Sequence, residues 1–516
     1  MNSLNKPAIN RRDFLQLIAM AALTFMNTAP SLAAGINSKK ISSNRSPNII
    51  LLLFDALSAR HMSTYGYHRS TTPNISDFAK RSNVYLNHYS TGNFTSPGTA
   101  SLLTGVYPWT HRAFNFPGTV IKKYCDDNIF SNFSSNYSIT TYTHNIFAQL
   151  ILNQFRHHID NFLPVNQYTL VGEKYSERLF PSDFPAAYFS ERILRGEESK
   201  LPGSILFSRI ELETLLKDLR GISYDLRDKY PRGIPTNYNR MFFILETAID
   251  SIMEQAVTLP KPYFMYYHLF PPHKPYLPRA EFINIFDDGL VGITKPPHTF
   301  SQGYSDGELN KIRQQYDEYI AFMDSEFGRL LSFFEAQDVL SDSIIIITSD
   351  HGDLFERGIW EHNTPTLYED IIKIPLLISL PNQTEGKFIS TITSSIDVAP
   401  TILSFSNKSV FDISESRILP GFGSSLLDEE RSIYAFEAKS NSKSQPLTKF
   451  TVAMMKERYK LIHYSGYGDQ LEDEFYDLEN DPEEIDNLSR PENPIQQEMT
   501  RELIQKIESV NQAVDS

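Results

Sequence analysis

The run Asn93-Phe94-Thr95-Ser96-Pro97-Gly98-Thr99-Ala100-Ser101-Leu102-Leu103-Thr104-Gly105 places hydroxyl groups at the start of a short helical pattern. Pro97 suits the first turn of a helix and Gly105 suits its C-terminal cap. A hydroxyl at that start lies beside free backbone N–H groups and the positive end of the helix dipole, where a phosphate or sulfate is stabilised. Thr95 is therefore a candidate nucleophile toward an anionic ester, although simple capping is the usual task of Ser and Thr at helix starts. Two distant positions add what such chemistry needs. The apolar run Asn48–Phe54 ends in Asp55, and the Ile-rich run Ser343–Thr348 ends in Ser349-Asp350-His351-Gly352-Asp353. Oxygens of Asp55 and Asp350 with the imidazole of His351 suit one divalent cation, Mg, Ca or Mn by the carboxylates and Zn by the imidazole. That cation would lower the pKa of the Thr95 hydroxyl and offset charge on the ester oxygens. His273, in the Pro-flanked turn Pro271-Pro272-His273-Lys274-Pro275, projects into a cleft rather than a core. It could bind the ester oxygens or protonate the leaving group.

These residues require a sheet whose strands end on one side. Asn48–Phe54 has the unbroken apolar pattern of a strand buried on both faces. Ser343–Thr348 and Pro375–Ser379 read the same way, with weaker strand patterns at Ser138–Thr143 and Tyr263–Tyr267. Apolar stripes at Leu309, Ile312, Tyr316, Ile320, Met323, Phe327 and Leu331, and at Phe242, Leu245, Ile249 and Ile252, predict helices between them. Alternating strands and helices predict an α/β sheet covered on both faces, with ligands at the carboxyl ends of its strands. Residues 150–260 read as a mostly helical insertion that shapes substrate access. Tyr459–Tyr464 and Glu474–Leu478 suit a small C-terminal sheet, and Glu498–Val510 an exposed helix.

A chain of 516 residues is long for one compact domain. Its net charge of −14 argues against nucleic acid or an anionic membrane as partner, so a positive field for an anionic ester must be made locally. Arg11-Arg12-Asp13-Phe14-Leu15, a short apolar run to Met26 and the small residues Ser31-Leu32-Ala33-Ala34 have the form of a twin-arginine export signal. That run is too short for a transmembrane anchor. The expected location is periplasmic or secreted, with the export machinery as a transient partner. Cys125 is the only cysteine, which excludes an intrachain disulfide.

In these residues the chain resembles the sulfatase family of the alkaline phosphatase superfamily. Asn48–Asp55 is similar to that family's first strand and its metal-binding Asp, and Thr72-Pro73-Asn74-Ile75 to the segment that follows. Thr95–Gly105 resembles the nucleophile segment, His268–Tyr276 the His-rich turn, and Ser349–Gly352 the second metal strand. Leu367-Tyr368-Glu369, Ile374-Pro375-Leu376, Asp397–Thr401, Tyr476-Asp477-Leu478 and Asp481-Pro482 continue the series in order. The resemblance implies a large, mainly parallel α/β sheet with helices on both faces and a small C-terminal subdomain with a short antiparallel sheet. The implied division is a signal peptide at 1–34, a linker at 35–46, a catalytic domain at 47–405 and a C-terminal subdomain at 406–516.

Departures from the family pattern bear on the chemistry. Sulfatases convert a Cys or Ser to formylglycine within a signal containing Pro and Arg; here Thr95 holds the nucleophile position and Thr99 the Arg position. The second Asp of the usual pair is Ala56, and the family's Lys after the third strand aligns with His144. His362 stands where relatives place a Lys or His facing the ester. A plain Thr nucleophile occurs in phospho-handling relatives, where the Thr oxygen is also a metal ligand. The set implied is Asp55, Thr95, Asp350 and His351 for metal, Thr95 and His273 for catalysis, and His144, His273 and His362 for substrate. The expected function is an exported, metal-dependent hydrolase or transferase of phosphate esters, chiefly diesters, with a small-molecule, glycan or lipid ester as substrate. The alternatives are a sulfuric ester hydrolase working without formylglycine and an inactive protein that binds sulfated or phosphorylated glycans.

Overall fold

The computed structural model describes residues 46–116, 118–171, 226–237, 241–405, 415–422, 431–468 and 471–515. Residues 1–34, expected to be an export signal, nearly all of the expected linker and residues 172–225 of the insertion lie outside the described residues. Eight strands form the central sheet: β1 (Asn48–Phe54), β2 (Asn83–Tyr85), β3 (Ser138–Thr143), β4 (Asn161–Phe162), β5 (Tyr263–Leu269), β6 (Ser343–Thr348), β7 (Leu376–Ser379) and β8 (Lys387–Ile389). Their spatial order is β8-β2-β7-β6-β1-β5-β3-β4. Every neighbouring pair is parallel except β6 with β7 and β7 with β2, so β7 alone runs against the rest.

The fully buried β1 is central because its side chains alternate between two apolar layers. Ile50, Leu52 and Phe54 face one layer, with Ile249 and Ile252 of helix Leu245–Thr258 and Ile320 and Phe327 of helix Asp306–Ala336. Ile49, Leu51 and Leu53 face the other, with Leu102 and Leu103 of helix Thr95–Thr104 and Ile402 of helix Val398–Phe405. Each such side chain contributes about 1.5–3 kcal/mol by leaving water. The α/β/α sandwich expected from the sequence is present, with most of both helical stripes buried as core, although Phe242 falls in the strand Met241–Phe243 and not in the helix that begins at Leu245. Among the described residues no helix is long and apolar enough to cross a membrane.

A four-stranded antiparallel sheet follows, built from β9 (Ile433–Glu437), β10 (Phe450–Lys456), β11 (Tyr459–Ser465) and β12 (Glu474–Asp477). Two of its strands were legible in advance. The last helix, Pro494–Asp515, is not simply exposed: Met499, Leu503 and Ile507 recur every fourth residue and pack with Val452, Met454 and Leu461 of the sheet. The described part of the insertion is also less helical than its composition predicts. Thr169–Val171, Thr236–Asn237 and Met241–Phe243 form a three-stranded antiparallel sheet there.

Candidate active site

The carboxyl ends of β1, β5 and β6 meet at one buried point. Asp55 follows β1 directly, and its N–H donates to the Leu269 carbonyl at 2.9 Å, locking it beside the end of β5. The next residue, Ala56, is in the left-handed region with φ 58°, which costs a non-glycine residue about 1 kcal/mol or more. Its neighbours hold it there: its N–H donates to Asp350 Oδ1 at 3.2 Å and its carbonyl accepts from the Tyr316 hydroxyl at 2.6 Å. Ala56 thus ties the two acidic turns together through backbone. Asp350 Oδ1 also accepts from the His351 N–H at 3.0 Å, leaving Oδ2 as the outward oxygen.

The free atoms around this point are nearly all electron-pair donors. His351 Nδ1 lies 2.9 Å from the Gly352 carbonyl, which only accepts, so in the neutral ring the proton sits on Nδ1 and Nε2 is a bare lone pair. That lone pair is 3.5 Å from Asp55 Oδ1 and 3.6 Å from Asp350 Oδ2. Neither carboxylate oxygen nor His351 Nε2 has a hydrogen-bond partner, and all three are fully buried. Buried acceptors facing one another are repulsive unless a cation or proton lies between them. Donors on one coordination sphere of about 2.4 Å radius are spaced by about 3.4 Å at right angles, so the cluster fits a divalent ion. Asp55, Asp350 and His351 are the residues able to hold it, their donor atoms lying within 4.8 Å of one another.

His268, which the sequence offers as a packed residue or as a support behind a ligand, is a fourth member of the cluster. Its fully buried ring ends β5 with Nε2 at 3.2 Å from Asp55 Oδ2 and 3.7 Å from Asp350 Oδ2. Burial alone would raise both carboxylates. The surrounding imidazoles, His273 first, lower Asp55 when they carry a proton, whereas burial and the Asp55 charge leave Asp350 raised.

Thr95 opens the helix Thr95–Thr104 rather than capping it. The cap position is Phe94, which makes no side-chain cap, and Gly105 closes the helix at φ 73°. Gly98 lets this helix approach the Asp350 turn: a Cβ there would lie 2.3 Å from the Asp350 carbonyl oxygen. The Thr95 hydroxyl is thereby spared from capping. Its Oγ1 accepts a hydrogen bond from Asn145 Nδ2 at 3.0 Å, and the same amide donates to Asp55 Oδ2 at 2.5 Å. Asn145 therefore joins the hydroxyl to the carboxylate cluster, a task that its sequence position does not announce. Its neighbour His144 is buried, stacks on Phe243 at 4.1 Å and accepts the Phe270 N–H at 3.3 Å, with burial lowering its pKa to about 3. Among the described residues the His144 ring makes no hydrogen bond to Thr95.

Two imidazoles line the other side. His273 directs Nδ1 to the Lys274 carbonyl at 2.8 Å, and its ring centroid lies 6.3 Å from that of His351. Burial lowers its pKa, while the Asp55 charge opposes the change. The His362 ring is 4.2 Å from that of His351 and 5.1 Å from that of His273. Its Nδ1 meets Asp353 Oδ1 at 3.0 Å, and the Tyr276 hydroxyl donates to Asp353 Oδ2 at 2.8 Å. Burial pushes Asp353 up to about 8 and His362 well below its usual range.

Asn145 offers a direct test of this arrangement. Its Oδ1 caps the helix Ile146–Gln154 by accepting from the Phe147 N–H at 2.8 Å. Asn145→Ser keeps a capping oxygen but removes the amide donor. It should lower kcat/KM by about 10–100-fold, the worth of a charge-assisted hydrogen bond or two, with Tm shifted by only a few degrees. Unchanged kinetics would separate the amide from the reaction.

A mainly parallel sheet with acidic groups at its carboxyl ends and a small antiparallel sheet beside it is the architecture of the alkaline phosphatase superfamily of ester hydrolases. Within that class the chain belongs to the sulfatase family: the model described as Sulfatase matches residues 47–407. A second model, N-sulphoglucosamine sulphohydrolase, C-terminal, matches residues 356–513. The choline-sulfatase of Rhizobium meliloti is 23% identical over 484 residues, covering 87% of this chain and 84% of that protein. Among solved structures, the phosphonate monoester hydrolase of Agrobacterium radiobacter superposes with a TM-score of 0.64 at 15% identity, covering 90% of this chain and 95% of that one. The putative sulfatase yidJ from Bacteroides fragilis gives a TM-score of 0.62 at 16% identity, with 93% and 98% covered.

Proposed function

We propose that this sulfatase-family hydrolase acts on phosphate esters, chiefly diesters, with Thr95 as an unmodified nucleophile. The observation that carries the reading is the Thr95 hydroxyl itself, spared from capping and held by Asn145 against the Asp55 carboxylate. Asp55, Asp350 and His351 would hold the divalent metal, with the Thr95 oxygen as a further ligand. When bound, that ion would lower the pKa of the hydroxyl and neutralise charge on the ester oxygens. In the first step Thr95 Oγ1 gives its proton to His273 Nε2 and bonds to phosphorus while the bond to the leaving alcohol breaks, the leaving oxygen then taking that proton from His273. Water then adds to phosphorus and releases Thr95. His362, steadied by Asp353, and the nearby His144 add to the pocket that takes the ester. A sulfated Thr has no equally easy release, whereas the hydrated formylglycine of other sulfatases expels sulfate by elimination. That difference favours phosphorus.

The second reading, a sulfuric ester hydrolase that works without formylglycine, is favoured by relatives such as the choline-sulfatase. Aryl phosphodiester, phosphate monoester, phosphonate ester and aryl sulfate substrates sharing one leaving group, assayed with each of Mg, Ca, Mn and Zn, divide the two. Phosphodiester turnover should exceed sulfate turnover by about 10²-fold or more. The reverse order would replace the first reading with the second. Export by the twin-arginine route, resting on Arg11-Arg12 and the apolar run behind them, belongs to the same proposal.

A further inference from the structure

One cation at this site lacks a carboxylate partner. Lys439 follows β9 of the C-terminal sheet and is only partly exposed. Its ammonium donates to the carbonyl of His362 at 3.2 Å and more weakly to that of Asn363 at 3.5 Å. It also lies over the Phe94 ring, 4.7 Å from the centroid. Phe94 directly precedes Thr95, and the His362 ring touches that of His351, so Lys439 stands one layer of side chains away from the carboxylate cluster.

Lys274, on the same rim, is neutralised by an ion pair with Glu361. Lys439 has no such pair among the described residues. Glu437 attracts it only through space, because that carboxylate accepts from the Lys439 backbone N–H at 3.0 Å and from the Tyr467 hydroxyl at 2.9 Å. Burial lowers Lys439 to about 8, the mark of a cation held in poor solvation. Both Lys439 and Lys274 act on His362 electrostatically. A cation that gives up water without gaining an ion pair can be offset by a charge that arrives with a ligand.

We propose that Lys439 is a specificity-determining residue that receives a second anionic group, a carboxylate, sulfate or phosphate carried by the alcohol part of the substrate. This rests on the reading that the Asp55, Thr95 and Asp350 cluster takes an anionic ester. The C-terminal sheet would then select doubly anionic substrates, while the β1, β5 and β6 ends handle the ester.

Calorimetric binding of phenylphosphonate and 4-carboxyphenylphosphonate to the metal-loaded protein tests this without turnover. The wild type should bind the carboxylated probe about tenfold or more tightly than the plain one. Lys439→Met should abolish that preference while leaving the Kd of phenylphosphonate within about twofold, and Lys439→Arg should keep it. A wild type without the preference, or a Lys439→Met protein that retains it, would overturn the assignment of Lys439 alone. Equal weakening of both probes in Lys439→Met would do the same, by making Lys439 a brace for the His362 loop. Failure of the wild type to bind either probe would instead overturn the anionic-ester reading and the inference with it.

Discussion

Asp350→Asn should yield a folded protein that has lost bound metal and about 10³-fold or more of its activity. Asn suits this test better than Ala. Asp350 Oδ1 accepts the N–H groups of Ala56 and His351, and Ala would leave two buried donors unmet at about 1–3 kcal/mol each. The amide oxygen keeps both bonds, while its NH2 replaces Oδ2 and turns a donor group toward the Asp55 and His351 lone pairs. The change also removes one of two like charges from a fully buried cluster, so the metal-free fold has no reason to weaken. Elemental analysis with thermal melting checks both halves. Full metal occupancy in the variant would remove Asp350 from the ligand set.

Thr95→Ala should lower turnover by about 10⁴-fold or more, since no other group can begin the two-step route. Stability should change by less than about 1 kcal/mol, because the hydroxyl does not cap its helix and bonds, among the described residues, to the Asn145 amide. Thr95→Ser retains an oxygen at the same place and should keep a substantial share of the activity. The contrast between the two variants distinguishes a missing nucleophile from a disturbed helix. Steady-state kinetics on an aryl phosphodiester reads it directly, and equal activity in Thr95→Ala and wild type would remove Thr95 from the reaction.

The strands that carry the chemistry were legible because burial on both faces leaves an unbroken apolar run. Asn48–Phe54 and Ser343–Thr348 lie at the residues expected. Asp55, Asp350 and His351 followed from those runs, since what ends a parallel strand faces the ligand side of the sheet. Asn145 was not legible, because a polar residue at a helix start reads as a cap, and it is one: the same amide caps through oxygen and reaches Thr95 through nitrogen. His268 was under-read because it sits inside an aromatic strand, Tyr263–Leu269, where local pattern suggests packing. Only the pairing of β5 with β1 turns its ring toward Asp55. Lys439 lies more than 340 residues beyond Thr95 on a separate sheet, and no spacing rule connects them.

The central claim is that the chain uses an unmodified Thr95 to attack phosphorus, and mass analysis of the Thr95 peptide tests it most directly. The purified protein should carry threonine at that position. After rapid acid quenching during turnover of an aryl phosphodiester, a fraction of the peptide should carry on Thr95 the phosphoryl group still esterified to the second alcohol, absent from Thr95→Ala and lost when substrate is exhausted. A Thr95 peptide that stays unmodified through an observed burst of alcohol release would contradict the claim.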